Sequence, residues 1–188
     1  DTYSSVLWEG RVLYSSTRVY PETSEPRLMI MRPDGSKSEL YAPGNAGLLP
    51  QSGGAESPDG HIYYVSSDGQ LSRVLHRRPL HTFENLSRSL GGSFNSVAAE
   101  RNGTLLVSYM AVNDHQYGIY RFDPAGGEAP EPLFRMERSL VQPVRIAAID
   151  PRPRILPSPV DPGNPTALLM TQNINHSMLP VHSGITGD

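Results

Sequence analysis

Apolar residues in this chain fall in short runs separated by glycine-centred turns, and the runs recur. Ala55-Glu56-Ser57-Pro58-Asp59-Gly60-His61-Ile62-Tyr63-Tyr64 aligns with Ala98-Ala99-Glu100-Arg101-Asn102-Gly103-Thr104-Leu105-Leu106-Val107 at an offset of 43 residues. Upstream, Trp8-Glu9-Gly10-Arg11-Val12-Leu13-Tyr14-Ser15-Ser16 repeats the pattern 50 residues before Gly60, the excess lying in the polar insert Thr17 to Pro26. After the turn each copy has an apolar strand, a loop and a second apolar strand ending in a polar turn. Arg27 to Arg32 leads into Pro33-Asp34-Gly35-Ser36, Leu71 to Leu75 follows Asp68-Gly69, and Tyr117 to Phe122 leads into Asp123-Pro124-Ala125-Gly126-Gly127. Glycine accepts positive φ without a steric penalty and aspartate bonds its own following backbone, so these pairs are expected to close hairpins in two residues.

Repeats of this length holding several short strands predict propeller blades. The expected fold is all-β: a partial β-propeller of about three four-stranded antiparallel blades over 1–149, a Pro-rich extended linker over 150–165, and a short β segment. The part from 166 to 188 reads as the start of a second β-rich domain or a tail. After Met136 the repeat grammar stops. Gln142 to Ile149 is expected as the returning strand of a last blade, and Thr166 to Gln172 as one buried strand. Between them, prolines at 151, 153, 157, 159, 162 and 165 exclude helix and central strand. Three blades cannot close a ring, so the partners expected are other protein domains or subunits that complete the propeller.

Composition narrows the function. Eighteen Pro and 17 Gly in 188 residues suit a turn-rich β protein. A formal net charge of -3, with basic residues dispersed apart from His76-Arg77-Arg78, gives no basic face of the kind nucleic acid requires. With no Cys there is no thiolate nucleophile, no Cys-ligated zinc and no covalent haem attachment within this chain. No run reaches membrane-spanning length, and the start Asp1-Thr2-Tyr3 has neither an initiator Met nor a signal-peptide pattern, which reads as a processed or excised piece.

The residues that could carry chemistry are few. No two of the six histidines stand at a compact metal-ligand spacing. His76 and His81 lie in one loop with Arg77, Arg78 and Pro79 between them; they are the candidate metal pair, and a solvated blade-connecting loop is the alternative. Asn113-Asp114 before His115 makes a turn. Asp34, Asp59, Asp68 and Asp123 stand beside Gly or Pro, where turn formation accounts for them and no acid or base partner is evident. No GxSxG or SxxK occurs, so no catalytic residue is assigned. Gly53-Gly54 and Gly91-Gly92 open no helix, and they read as loops into the next inner strand. Tyr14, Tyr63, Tyr64, Tyr109 and Tyr120 are expected to pack between blades, and Trp8 to pack as well.

Ser57-Pro58-Asp59-Gly60 before a strand, and Met31-Arg32-Pro33-Asp34-Gly35-Ser36 after one, resemble the PD40 (WD40-like) repeats of TolB-like propellers, over roughly Val6 to Met136. Such blades serve binding, scaffolding and enzyme lids alike. Asp150-Pro151-Arg152-Pro153-Arg154-Ile155-Leu156-Pro157-Ser158, followed by Ala167 to Asn173, resembles the propeller exit of proteins similar to the hydrazine synthase alpha subunit. That resemblance implies a periplasmic or otherwise extracytoplasmic protein whose propeller precedes domains carrying haem c. The chain departs from it in having no CxxCH. No cofactor is therefore expected within the chain, haem c being possible in adjoining domains or subunits, with His176 and His182 as cofactor-binding candidates. Two functions follow: a non-catalytic binding and scaffolding module, or a fragment of a haem-dependent oxidoreductase.

Overall fold

The computed structural model describes residues 2–17, 26–42, 54–146, 153–158 and 163. The chain divides into two compact units, Asp1–Pro157 and Ser158–Asp188, and the architecture below is that of the first. It contains twelve strands among the described residues and no helix: β1 (Thr2–Val6), β2 (Val12–Ser16), β3 (Arg27–Met31), β4 (Glu39–Ala42), β5 (Ala55–Glu56), β6 (His61–Val65), β7 (Leu71–Leu75), β8 (Glu84–Asn85), β9 (Ser93–Ala99), β10 (Leu105–Met110), β11 (Gly118–Phe122) and β12 (Glu131–Phe134). They form three four-stranded antiparallel meanders in chain order, β1 to β4, β5 to β8 and β9 to β12. This is the all-β, partial propeller that the repeats predict.

The three aligned glycines occupy the same place in each sheet, between its first and second strands, with φ of 94° at Gly10, 81° at Gly60 and 91° at Gly103. The hairpins differ from the expectation in one respect, because the loops hold three residues and not two. Ser57 N–H donates to the His61 carbonyl (2.9 Å) and Gly60 N–H to the Ser57 carbonyl (3.0 Å); Leu7 with Arg11 and Glu100 with Thr104 repeat the pattern. A type I turn followed by a left-handed glycine produces this bulged hairpin. The acidic or amide residue before the glycine completes it by accepting from the backbone N–H two residues on, as Asp59 does from His61 (3.0 Å) and Asn102 from Thr104 (3.1 Å).

The sheets pack face to face, and β6 shows how. Side chains alternate across a strand, so Ile62 and Tyr64 enter a core with Leu7, Leu13, Leu28 and Ile30 of the first sheet. Tyr63 and Val65 enter a second core with Phe94, Leu105, Val107 and Tyr120 of the third. A strand buried on both faces reads as an unbroken apolar run, which is why His61–Val65 lacks the alternation of Val12–Ser16. Burial of each such side chain contributes about 1.5–3 kcal/mol. Tyr63, Tyr64, Tyr109 and Tyr120 are buried between sheets as expected, whereas Tyr14 is half-buried and its hydroxyl meets Ser38 at 2.7 Å.

Beyond β12 the expected returning strand does not form over its described part, residues 142–146. Pro143 offers no amide for a ladder. Instead the segment is held by serine hydroxyls of the third sheet: Ser108 Oγ donates to the Leu140 carbonyl (2.5 Å), and Gln142 N–H donates to Ser96 Oγ (2.7 Å). Residues 147–149 and the expected strand Thr166 to Gln172 lie outside the described residues. Of the proline-rich stretch, Pro153 to Pro157 has neither helix nor strand. It lies against the first sheet: Arg154 N–H donates to the Trp8 carbonyl (2.8 Å), and Arg32 Nη1 to the Pro157 carbonyl (3.1 Å).

Candidate functional site

Two clefts arise from the way the sheets meet. The first, of about 340 Å³, is lined by the leading strands of all three sheets, β1, β5 and β9, and by Pro143, Val144 and Arg145. It lies where a propeller has its axis. Two side-chain bonds join the first sheet to the second at its wall: Ser5 Oγ donates to the Gly54 carbonyl (2.5 Å), and the Trp8 N–H donates to Glu56 Oε2 (2.6 Å). Trp8 does not pack as expected. It is 41% exposed, because its place on the β1–β2 turn commits its backbone to Glu56 and Arg154 and leaves its ring outside both cores.

The second cleft, of about 380 Å³, lies between the outer part of the first sheet and the turn after β7, and both His76 and His81 line it. The turn is fixed by its own bonds: Arg78 N–H to the Leu75 carbonyl (2.9 Å), His81 N–H to the Arg78 carbonyl (3.1 Å), and Thr82 Oγ1 to the Arg78 carbonyl (2.8 Å). His76 bridges the two sheets. Its Nδ1 meets the buried Tyr41 hydroxyl at 2.7 Å, and its Nε2 lies 3.6 Å from Glu9 Oε2. Burial, with the nearby Glu56 and Glu9 carboxylates adding to it against Arg11, raises the Tyr41 phenol far above its ordinary range, so this hydroxyl stays protonated. The Tyr41 hydroxyl also lies 3.4 Å from the His76 carbonyl oxygen, so the two residues meet at two points. Glu9 in turn pairs with Arg11, which reaches Glu39 at 3.2 Å.

The expected metal pair therefore shares a cleft, and His76 is occupied by Tyr41 and Glu9. Among the described residues no group of three or more His, Asp or Glu side chains could hold a metal ion. His176 and His182 lie outside the described residues. Asp114 stands in the expected turn, with Asn113 at φ 72°, and pairs with Arg135. Asp34, Asp68 and Asp123 serve their turns. Asp59 does more than expected: its Oδ2 accepts from the Tyr63 hydroxyl (2.7 Å) and lies 3.0 Å from His61 Nδ1. The signal was in the spacing, since Asp59, His61 and Tyr63 alternate along one face.

No protein-family model matches the chain, and no curated protein matches it. Among solved structures it is similar to hydrazine synthase from Kuenenia stuttgartiensis, with a TM-score of 0.57 and 24% sequence identity over 72% of this chain. The likeness is one of fold. The match takes up 20% of the length of that chain. No described helix is long and apolar enough to cross a membrane.

Proposed function

We propose that this chain is a non-catalytic binding and scaffolding module, TolB-like in its repeats, within a larger periplasmic or otherwise extracytoplasmic protein. One observation carries the reading. Three large apolar side chains on or just after β12 are exposed, Leu133 (42%), Phe134 (56%) and Met136 (54%). The middle sheet is buried on both faces, whereas this stretch at the far edge of the third sheet is apolar and open, as expected of a blade whose neighbour lies beyond the described residues. The neighbour is a further blade of the same protein or a partner domain.

Hydrogen exchange compares the full-length protein with a piece ending at Pro157. In the full-length protein the amides of β12 are expected to be protected, and in the piece to exchange faster. Equal exchange in both would sink the reading. A second reading, part of a haem-dependent oxidoreductase, is favoured by the similarity to hydrazine synthase. A c-type haem is tethered through cysteine thiols, and this chain has none, so its residues do not fit that attachment and the haem would belong to adjoining domains. A Soret band in the purified full-length protein would support it, and its absence would exclude it.

A further inference from the structure

The second cleft holds charges that the fold leaves uncompensated. The carboxylates at its edge, Glu9 and Glu39, share one guanidinium, that of Arg11. Arg73, Arg121 and Arg135 are likewise matched by Glu84, Glu100 and Asp114. Arg77 and Arg78, adjacent in sequence and both lining this cleft, are exposed and have no ion-pair partner among the described residues. Two positive charges lining one cleft attract an anion into it. The turn that carries them is fixed in advance by the Leu75, Arg78 and Thr82 hydrogen bonds, which reduces the ordering that binding must impose. The opposite wall is equally set, with Tyr41 and His76 joined at 2.7 Å.

From this geometry we propose that the cleft between β4 and the β7–β8 turn binds an oxyanion, the phosphate or carboxylate group of a small molecule. Arg77 and Arg78 hold it and His81 lies at its side. The planar forks of arginine match both groups with paired hydrogen bonds, and a cleft of about 380 Å³ admits a small molecule. This site is independent of what lies beyond the third sheet.

The test follows backbone amide shifts of the full chain while inorganic phosphate, and separately citrate, is added at constant ionic strength. Saturable shifts confined to residues 76–81 and Tyr41 are expected with at least one of them, and which one saturates distinguishes phosphate from carboxylate recognition. Arg77→Ala with Arg78→Ala is expected to weaken the saturating interaction about tenfold or more, since a hydrogen bond to a charged group contributes about 1.5–3 kcal/mol. Both positions are exposed, so an unchanged thermal midpoint shows that the fold is retained. Arg88→Ala, an exposed arginine outside the cleft, is expected to leave the interaction unchanged. Shifts that never saturate with either anion, or an equal loss from Arg88→Ala, would overturn the proposal.

Discussion

The two interfaces of the middle sheet share strand β6 and are made of different material. Toward the first sheet, β6 presents Ile62 and Tyr64 to a core that is mostly aliphatic, with a polar bridge from Tyr41 to His76 at its rim and an open cleft beside it. Toward the third sheet, it presents Tyr63 and Val65 to an aromatic ladder. There Phe94 and Tyr109 stand 4.7 Å apart, Tyr109 and Tyr120 meet edge to face at 5.2 Å, and Phe122 approaches Phe94 at 6.3 Å. Aromatic pairs of this geometry add about 0.5–1.5 kcal/mol beyond their buried area. One interface is thus a filled joint, and the other is a joint with a usable gap.

The largest effect is expected from emptying the filled joint. Phe94 is 2% exposed and touches two aromatic neighbours, so Phe94→Ala should cost about 3–5 kcal/mol in chemical denaturation. Leu13→Ala in the aliphatic joint should cost about 2–5 kcal/mol and lack the aromatic increment. A smaller loss for Phe94→Ala than for Leu13→Ala would remove the distinction between the two joints.

A second pair separates the outer sheets. Gly10 and Gly103 hold the same turn position with φ near 90°, yet a Cβ on Gly103 would meet nothing within 4 Å, and one on Gly10 would overlap the Arg154 carbonyl. Gly103→Ala should therefore cost only the left-handed strain, about 1–2 kcal/mol. Gly10→Ala should cost more and expose residues 153–157 to proteolysis. Equal losses would mean that the proline-rich segment does not depend on Gly10.

This pair marks how far the sequence could be read. The glycine turns were legible because positive φ is a local demand, as were β2, β3, β6, β7, β10 and β11, whose apolar runs follow from burial. The outermost strands β8 and β12 were not individually legible: Glu84–Asn85 is two residues long, and every residue of Glu131–Phe134 is exposed, so neither carries an alternating pattern. The bridge from Tyr41 to His76 joins residues 35 apart in sequence, and nothing near either residue announces the other. The Arg154 contact with Trp8 was hidden for the same reason, whereas the His76-Arg77-Arg78 cluster was visible and only its lack of counter-charges needed the fold.

The polar bridge of the open joint is expected to contribute modestly. Tyr41→Phe removes the hydroxyl bonded to His76 and leaves the buried ring in place, so a loss of about 0.5–1.5 kcal/mol is expected. Val74→Ala, in the aliphatic part of the same core, should cost more because it opens a cavity. A loss for Tyr41→Phe as large as that for Val74→Ala would mean that the joint is held by its rim.

The smallest effect concerns how the filled joint is anchored. Tyr63 is buried in the aromatic core, but its hydroxyl reaches out to Asp59; burial first, and that hydrogen bond second, push the phenol up to about 12. Burial alone would raise the Asp59 carboxyl, but the bonds from the Tyr63 hydroxyl and the His61 amide, with the His61 ring, outweigh it and leave the carboxyl below its ordinary value. A carboxyl lowered in the folded state stabilises the fold fully above its unfolded pKa, roughly pH 4. That contribution is lost as pH falls through the lower folded value. Asp59→Asn keeps the turn, since Asn102 makes the same bond in the third sheet, and removes only the charge. The stability of the variant should therefore fall less steeply than that of the parent below about pH 4, with the difference small because Asp59 is partly exposed and solvent screens it. Parallel acid limbs in the two proteins would show that Tyr63 is held by packing alone.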